Sequence, residues 1–148
     1  MFLRTQASQA QGKYISATHV LVGSGEVADG TLRPIVGFVT LVTSVIPLAE
    51  CPPSLKRITN KPHLPTLLLA QMAVDVTHKG KRLGECLLKH ALVTALQLKE
   101  SSGCCAVIVD AINEDAKRFY LKYGFVPMPD KPMRLFLVIN SIEKIFSN

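Results

Sequence analysis

The chain lacks several features that define large classes of protein. It has no tryptophan and only 6% aromatic residues, so it offers no aromatic-rich surface of the kind on which RNA bases stack. No apolar run reaches the ~18 residues that a membrane-spanning helix needs, because the longest, around Ile35–Leu48, is interrupted by glycine, threonine, serine and proline. The N-terminal Met-Phe-Leu-Arg-Thr-Gln has no apolar stretch of signal-peptide length. We therefore expect a cytoplasmic protein that does not associate with a membrane.

Cysteine and histidine are too few and too scattered to form an obvious framework. Cys51, Cys86, Cys104 and Cys105 form no C-x-x-C pair, and without a secretion signal we expect them to be reduced. Cys86 and His90 lie one helical turn apart, but two ligands are too few for a structural zinc site. We expect no metal.

Length and charge favour one small basic domain. The 148 residues, 48% hydrophobic and 19% charged, suit a single domain over 1–148 with one core. The 17 basic and 11 acidic residues give a net charge of +6. This excess suits an anionic partner such as a nucleotide cofactor or RNA, but many basic domains carry as much without such a partner.

The apolar pattern predicts an α/β (α+β) fold. In chain order it predicts a helix at 3–13 and then a hairpin of strands Thr18–Val22 and Pro34–Ile46, with a turn at Gly23–Gly30. A proline-rich connection over 47–65, with a helical turn at 54–58, leads to a strand at Leu67–Val76, a helix at Leu83–Leu98 and a strand at Cys104–Val109. The remaining elements are a helix at Asn113–Tyr123, a short strand or turn at Phe125–Met128 and a closing strand at Arg134–Ile139. A hairpin followed by a right-handed βαβ unit predicts a mixed central sheet with helices on both faces.

The basic segment His78–Glu85 is the first candidate for chemistry. It precedes the long predicted helix, whose first turn has amide N–H groups without intrahelical partners and carries the positive end of the helix dipole. Two glycines allow a ligand to approach the backbone closely, and three cations add full charges. The segment favours a phosphate group, but a basic turn with glycines for packing gives the same pattern. The glycines are Gly80 and Gly84, and the cations are Lys79, Lys81 and Arg82.

The second candidate is the segment Asn113–Phe125, Asn-Glu-Asp-Ala-Lys-Arg-Phe-Tyr-Leu-Lys-Tyr-Gly-Phe. Asn113 or Asp110 is a candidate helix cap, and Gly124 is a candidate C-terminal stop. By itself the segment is typical of a capped amphipathic helix with aromatic core residues.

Taken together, the two segments resemble the GNAT family of N-acetyltransferases, which use acetyl-CoA. The family pattern Asn-x-x-Ala-x-x-Phe-Tyr-x-x-x-Gly-Phe is matched in full from Asn113 to Phe125. The pattern Gln/Arg-x-x-Gly-x-Gly/Ala is matched loosely, with Lys79 at its first position, Arg82 at the first glycine and Gly84 at the last. At Arg82 a backbone N–H can still donate to a pyrophosphate if φ is negative, whereas the side chain either clashes with a phosphate or binds it.

The resemblance implies that backbone groups and side chains both contribute to the acetyl-CoA site. In the family the central strand diverges from its parallel neighbour, so the backbone of Met72, Ala73 and Val74 is implied to pair with pantetheine. Tyr120 is implied to act as the general acid that donates its proton to the departing thiolate, whereas Tyr123 is expected to be structural. The other implied acetyl-CoA-binding residues are Lys79, Gly80, Lys81, Arg82, Leu83, Gly84, Glu85, Asn113 and Phe119.

No general base is obvious in the sequence. His63, His78 and Asp75 are candidates only because they are expected to be exposed. An α-amine titrates near ~7.7–8.0 and a lysine amine near ~10.4, so an α-amine needs less help from a base. The missing base therefore favours an α-amine acceptor.

A narrower resemblance, covering most of the chain, is to the toxin branch of this family. It rests on Leu64–Asp75, the leucine-rich helix, and Pro-x-x-Pro-Met-x-Leu-Phe-Leu near the end. It implies a toxin that acetylates aminoacyl-tRNA, with a ribbon-helix-helix antitoxin as partner and a homodimer left open. Basic residues for tRNA phosphates are Arg4, Lys13, Arg33, Lys56, Arg57, Lys61 and Lys89.

Three alternatives stay open at this point. The chain is an acetyltransferase toxin, a GNAT enzyme for a small-molecule or protein amine, or a degenerate GNAT domain without catalysis. The family normally has a strand and a helix upstream of the Phe2-Leu-Arg segment. The resemblance therefore implies either a domain without them and with an exposed sheet edge, or a start that lies further upstream.

Overall fold

The structure, a computed structural model, describes residues 11–13, 15–23 and 33–147. Most of the predicted helix at 3–13 and of the turn at Gly23–Gly30 lies outside these residues. The described strands are β1 (Ala17–Val22), β2 (Ile35–Pro47), β3 (His63–Val74), β4 (Ala106–Asp110), β5 (Val126–Met128) and β6 (Lys131–Val138). The described α-helices are α1 (Pro53–Lys56), α2 (Leu83–Ser101), α3 (Glu114–Lys122) and α4 (Ile139–Ser147).

The six strands form one mixed sheet in the order β1-β2-β3-β4-β6-β5. β1 and β2 pair antiparallel, which confirms the predicted hairpin. β3 and β4 pair in parallel from Thr66–Ala106 to Leu69–Val109, which confirms the predicted parallel pairing of the βαβ unit. β6 is antiparallel to both β4 and β5. None of the described helices is both long and apolar enough to cross a membrane.

The chain divides into two compact units, each with buried apolar residues. The first contains the described residues up to Val42 together with Ala70–Ala91. Its buried side chains include those of Val36, Val39 and Leu41 in β2 and of Leu87, Leu88 and Ala91 in α2. The second contains Thr43–Leu69 and the described residues from Leu92 onwards. Its core cluster is Ile46, Cys51, Leu55, Leu64, Ala106, Ile108, Met128 and Phe136.

Several element boundaries shift by a few residues from the sequence prediction, and the clearest differences are at β3 and α4. β3 begins at His63 and not at Leu67, so it contains Pro65, which lacks an N–H. The strand tolerates this proline because only its carbonyl is needed there: it accepts the Cys105 N–H at 2.9 Å. α4 is absent from the elements predicted from the sequence, although Ile142 in this helix is fully buried.

Two buried threonines give a matched test of stability. Thr66 in β3 is 3% exposed, and no partner for its hydroxyl is recorded among the described residues. Thr66→Val should therefore raise the free energy of unfolding by about 1 kcal/mol, because it removes an unsatisfied polar group and keeps the shape. Thr40 in β2 is 2% exposed, but its hydroxyl lies 2.8 Å from that of Thr18.

Thr40→Val serves as the control and should lower the free energy of unfolding by about 1 kcal/mol, since Thr18 loses its partner. Urea titration of both variants measures the two changes. A loss of stability in Thr66→Val would show that the Thr66 hydroxyl is satisfied.

Candidate functional site

The last residues of β3 present alternating backbone groups to its two edges. The Asp75 N–H donates to the Val36 carbonyl of β2 at 2.8 Å, and a β-carbon added to Gly37 would lie 3.1 Å from the Ala73 carbonyl oxygen. Asp75 and Ala73 therefore direct their backbone groups towards β2. Because successive residues of a strand alternate, Met72 and Val74 direct theirs to the opposite edge.

Along this opposite edge, the last residues of β3 are no longer paired with β4 in the described register. The pairing of β3 with β4 ends at Leu69–Val109, whereas β3 continues to Val74. Burial changes at the same point: Leu69 is buried, and Ala70, Gln71 and Ala73 are exposed. Of the three residues implied by the family resemblance, Met72 and Val74 can pair with an added chain along this edge, and Ala73 faces the wrong way.

A short 3₁₀-helical turn at Val76–His78 follows β3 and engages two of the candidate bases. The Asp75 carboxylate accepts the N–H and the hydroxyl of Thr77, both at 3.1 Å. The backbone hydrogen bond, followed by the hydroxyl, lowers the pKa of Asp75, so this carboxylate is a poor proton acceptor at neutral pH. The Nδ1 atom of His78 lies 2.9 Å from the Thr77 hydroxyl. His63, the third candidate, is the first residue of β3 and stands at its other end.

The basic segment after this turn contains two residues in the left-handed region of backbone space. Gly80 has φ +86° and Arg82 has φ +57°. A negative φ is the condition that the sequence analysis sets for Arg82 to donate its N–H, and the structure contradicts it. The positive φ explains why the family pattern has glycine at this position, since glycine adopts it without steric cost.

Arg82 also marks the start of α2. Its carbonyl accepts the Cys86 N–H at 3.2 Å, the first intrahelical bond. The amides of Leu83 and Gly84, in the first helical turn, have no intrahelical partner, and together with the helix dipole they suit an anion. Glu85 is engaged in an ion pair with Lys89 at 3.2 Å. The segment therefore places amides of the first helical turn and exposed cations close together in the chain.

α3 holds the second predicted segment. Asn113 is its N-cap, and the side-chain oxygen accepts the Ala116 N–H at 2.8 Å. Asp110, the alternative cap candidate, instead makes a two-bond ion pair with Arg134 at 2.7 and 2.9 Å. This bond to Arg134 lowers the pKa of Asp110. The cap fixes the start of the helix and thereby the positions of the aromatic residues that follow.

Tyr120 is the buried phenol of an aromatic cluster. It is 5% exposed, and its ring centroid lies 5.2 Å from that of Phe119 and 5.5 Å from that of Phe125. Burial raises the pKa of Tyr120 to about 12, so the hydroxyl stays protonated at neutral pH. No hydrogen-bond partner for this hydroxyl is recorded in the part of the chain that the structure describes, which leaves its proton available for donation.

Two side-chain contacts are not predicted from the sequence. The Asp110–Arg134 ion pair joins cross-strand neighbours of β4 and β6, and it is visible only once the register is known. The rings of His19 and His90 lie 4.5 Å apart. Burial, and secondarily the charge of His90, lowers the pKa of His19.

The basic residues proposed for tRNA differ in their surroundings. Lys89 pairs with Glu85, and Arg4 lies outside the described residues. The remaining five are exposed, and they are Lys13, Arg33, Lys56, Arg57 and Lys61.

Comparison with known proteins gives consistent matches along the chain. A family model described as an acetyltransferase (GNAT) domain matches residues 27–127. The tRNA-acetylating toxin of Mycobacterium tuberculosis is 30% identical over 132 residues, which cover 89% of this chain and 79% of the toxin. The probable toxin TacT of Sinorhizobium fredii is 28% identical over 126 residues, which cover 79% of this chain and 68% of that protein.

Solved structures of the toxin AtaT are similar in fold over nearly all of the chain. AtaT complexed with acetyl-methionyl-tRNAfMet has a TM-score of 0.86 at 26% identity and covers 98% of this chain and 84% of its own. AtaTR bound with AcCoA has a TM-score of 0.80 at 26% identity, covering 98% and 83%. An AtaT mutant bound to the C-terminus of the antitoxin AtaR has a TM-score of 0.81 at 26% identity, covering 99% and 82%.

Proposed function

The chain belongs to the GNAT acetyltransferase family, and from this premise we propose that it transfers the acetyl group of acetyl-CoA to the α-amine of aminoacyl-tRNA. GNAT enzymes are N-acetyltransferases that use acetyl-CoA. The observation that carries the choice of acceptor is the 30% identity to a tRNA-acetylating toxin over 89% of the chain. The family match at 27–127 includes parts of both compact units, which supports one GNAT domain over 1–148.

The residues present fit acetyl-CoA at two points. The exposed end of β3 offers the backbone of Met72 and Val74 to the pantetheine arm, on the edge that faces away from β2. The segment from Lys79 to Glu85 offers amides, two residues with positive φ and three cations to the pyrophosphate. When bound, acetyl-CoA supplies an activated acyl group with a thiolate as its leaving group.

Tyr120 is the proposed general acid. Its hydroxyl is protonated throughout the working range because burial raises its pKa to about 12. A protonated phenol donates a hydrogen bond to the sulfur on which negative charge develops, which lowers the barrier to its departure. Asn113 positions this group by capping α3. Phe119 supports it by packing against the ring of Tyr120.

The acceptor amine needs little help from a base. An α-amine titrates near ~7.7–8.0, so a large fraction is neutral at cellular pH. Asp75 accepts hydrogen bonds that lower its pKa, and His63 lies at the far end of β3, so neither suits this role. An α-amine thus needs less help from a base than a lysine amine, which titrates near ~10.4, and this supports an α-amine as the acceptor.

The biological setting follows from the same relatives. AtaT has been solved with the C-terminus of the antitoxin AtaR, and this supports a toxin of a toxin–antitoxin pair. For the antitoxin partner we propose a ribbon-helix-helix protein. We place the protein in the cytoplasm, where charged tRNA is found, and include a homodimer in the proposal.

Transfer of radiolabelled acetyl groups tests the proposal directly. The purified chain is incubated with labelled acetyl-CoA and total charged tRNA, and the label in precipitated RNA is counted. We expect label in charged tRNA and none in deacylated tRNA or in formyl-methionyl-tRNA, whose amines are absent or blocked. Label in free amines or protein lysines, with none in RNA, would contradict the proposed acceptor.

A further inference from the structure

Three side chains that can bind a metal lie on β1 and α2, and the proposed function uses none of them. Cys86 and His90 are separated by one turn of α2, which places both on the same face of the helix. His19 lies in β1, and its ring centroid is 4.5 Å from that of His90, with the ring planes at 55°. β1 and this part of α2 belong to the same compact unit. The fold therefore adds a third candidate ligand, from a distant part of the chain, to a pair that has too few ligands by itself.

The three side chains are accessible and carry the chemistry that a metal ion needs. Cys86 is a free, exposed thiol, His90 is exposed, and His19 is half-buried. Burial, followed by the charge of His90, lowers the pKa of His19, so this ring is neutral at neutral pH. A neutral imidazole offers a nitrogen lone pair to a metal, and a thiol binds a metal by releasing its proton.

Packing alone gives a weaker account of the contact between His19 and His90. Two adjacent imidazoles repel each other when both are protonated, and both rings retain some contact with water. A pair of aliphatic side chains would join β1 to α2 by burying apolar surface, without this repulsion. An ion bound by both rings makes the same arrangement favourable, because it requires two neutral imidazoles close together.

We propose that His19, Cys86 and His90 bind one zinc ion, with a water molecule as the fourth ligand. Imidazole and thiolate are ligands that zinc prefers, and three protein ligands with water in the fourth position form a known zinc arrangement. Among the described residues, no three potential ligands are already gathered around one point. The exposed Cys86 side chain therefore turns towards the imidazoles when the ion binds, and its proton is released to solvent. The ion joins the outer strand β1 to α2, and the inference does not depend on acetyl transfer.

Calorimetric titration of the full chain, without an affinity tag and in a non-thiol reductant, measures the binding of zinc chloride. We expect one ion per chain with a Kd below about 10 µM, which is weaker than four-ligand structural sites. His19→Gln, Cys86→Ser and His90→Gln should each raise the Kd at least about tenfold, because loss of even a partner of a metal ligand costs about 10- to 100-fold. His63→Gln is the matched control: it removes an exposed histidine at the start of β3 and should leave the Kd unchanged.

Cobalt(II) in place of zinc identifies the sulfur ligand by its absorption. Bound cobalt should show the near-ultraviolet charge-transfer band of a thiolate ligand in the unsubstituted chain. The band should persist in Cys105→Ser, which removes a half-buried thiol, and disappear in Cys86→Ser. Absence of the band in the unsubstituted chain would overturn the inference without the use of any variant.

Thermal unfolding shows whether the ion joins β1 to α2 in the folded protein. Zinc at about 100 times its Kd should raise the melting temperature of the unsubstituted chain by several degrees, because it binds the folded state. The rise should be lost in His19→Gln, since β1 then no longer contributes a ligand. A Kd that His19→Gln or Cys86→Ser leaves unchanged would show that zinc binds elsewhere, and it overturns the inference, as does absence of zinc binding. Neither result bears on the proposed acetyl transfer.

Discussion

Tyr120→Phe is expected to lower the rate of acetyl transfer about 10²- to 10⁴-fold, the usual contribution of a general acid. The phenyl ring keeps the packing against Phe119 and Phe125, and the hydroxyl has no recorded partner among the described residues. The fold and the Kd for coenzyme A should therefore change little. The rate is measured from the transfer of labelled acetyl groups to charged tRNA at a series of stopped time points. Calorimetry measures the Kd for coenzyme A.

Tyr123→Phe is the matched control. Tyr123 lies in the same aromatic cluster, with its ring centroid 5.1 Å from that of Phe119, but it is the C-cap residue of α3. It should retain the rate to within about threefold, as a substitution outside the reacting groups does. An equal loss in both variants would show that the cluster acts through structure and not through the Tyr120 proton.

The pH dependence of the transfer rate gives an independent test of whether Tyr120 donates the proton. Burial raises the pKa of Tyr120 to about 12, so the donating, protonated form persists up to that pH. The rate should rise with deprotonation of the acceptor amine, whose pKa the neighbouring ester lowers to below ~8, and then stay level to about pH 10. A fall in rate between these pH values that Tyr120→Phe abolishes would mean that Tyr120 ionises earlier and is less buried in the working enzyme.

Much of the fold is predictable because its elements bury regular apolar patterns. The helical spacing from Leu83 onward predicts α2, and the structure extends it to Ser101. The apolar run at 67–76 predicts β3, although Pro65 conceals the true start at His63. α4 is not predicted because the apolar run of the closing strand continues to Ile139, where the helix already begins.

Features of the site that depend on local sequence are predictable. Features that depend on the alignment of strands or on backbone dihedral angles are not. The Asn113 cap follows from its position before Glu114, and the structure confirms it. The Asp110–Arg134 ion pair requires the alignment of β4 with β6, which sequence spacing does not contain. The edge to which Ala73 points depends on the alignment with β2. The positive φ of Arg82 is hidden because arginine rarely adopts it.

Gly124 and Gly103 offer the second test with a large effect, because both follow a helix with positive φ. Gly124 has φ +95° after α3, and Gly103 has φ +98° after α2. At each site Gly→Val should cost about 2 kcal/mol of stability, the strain of a branched residue in this region. The two turns differ in the residue to which their backbone hydrogen bonds are made. Directly after Gly124, the Phe125 N–H donates to the Tyr120 carbonyl at 3.2 Å. The Gly103 N–H instead donates to the Leu98 carbonyl at 2.7 Å.

Gly124→Val should therefore lose activity beyond its loss of stability. A shift of the turn displaces Tyr120, and a misplacement of about 1 Å costs about 100-fold in rate. Gly103→Val should keep its rate per folded molecule, since a β-carbon there meets no atom within 4 Å and its turn does not hold the phenol. Urea unfolding gives the stability of each variant, and the rate is measured under conditions where both are folded. Equal rates in the two variants would show that the turn after α3 does not position Tyr120, and would leave that task to the Asn113 cap and to the rings packed against it.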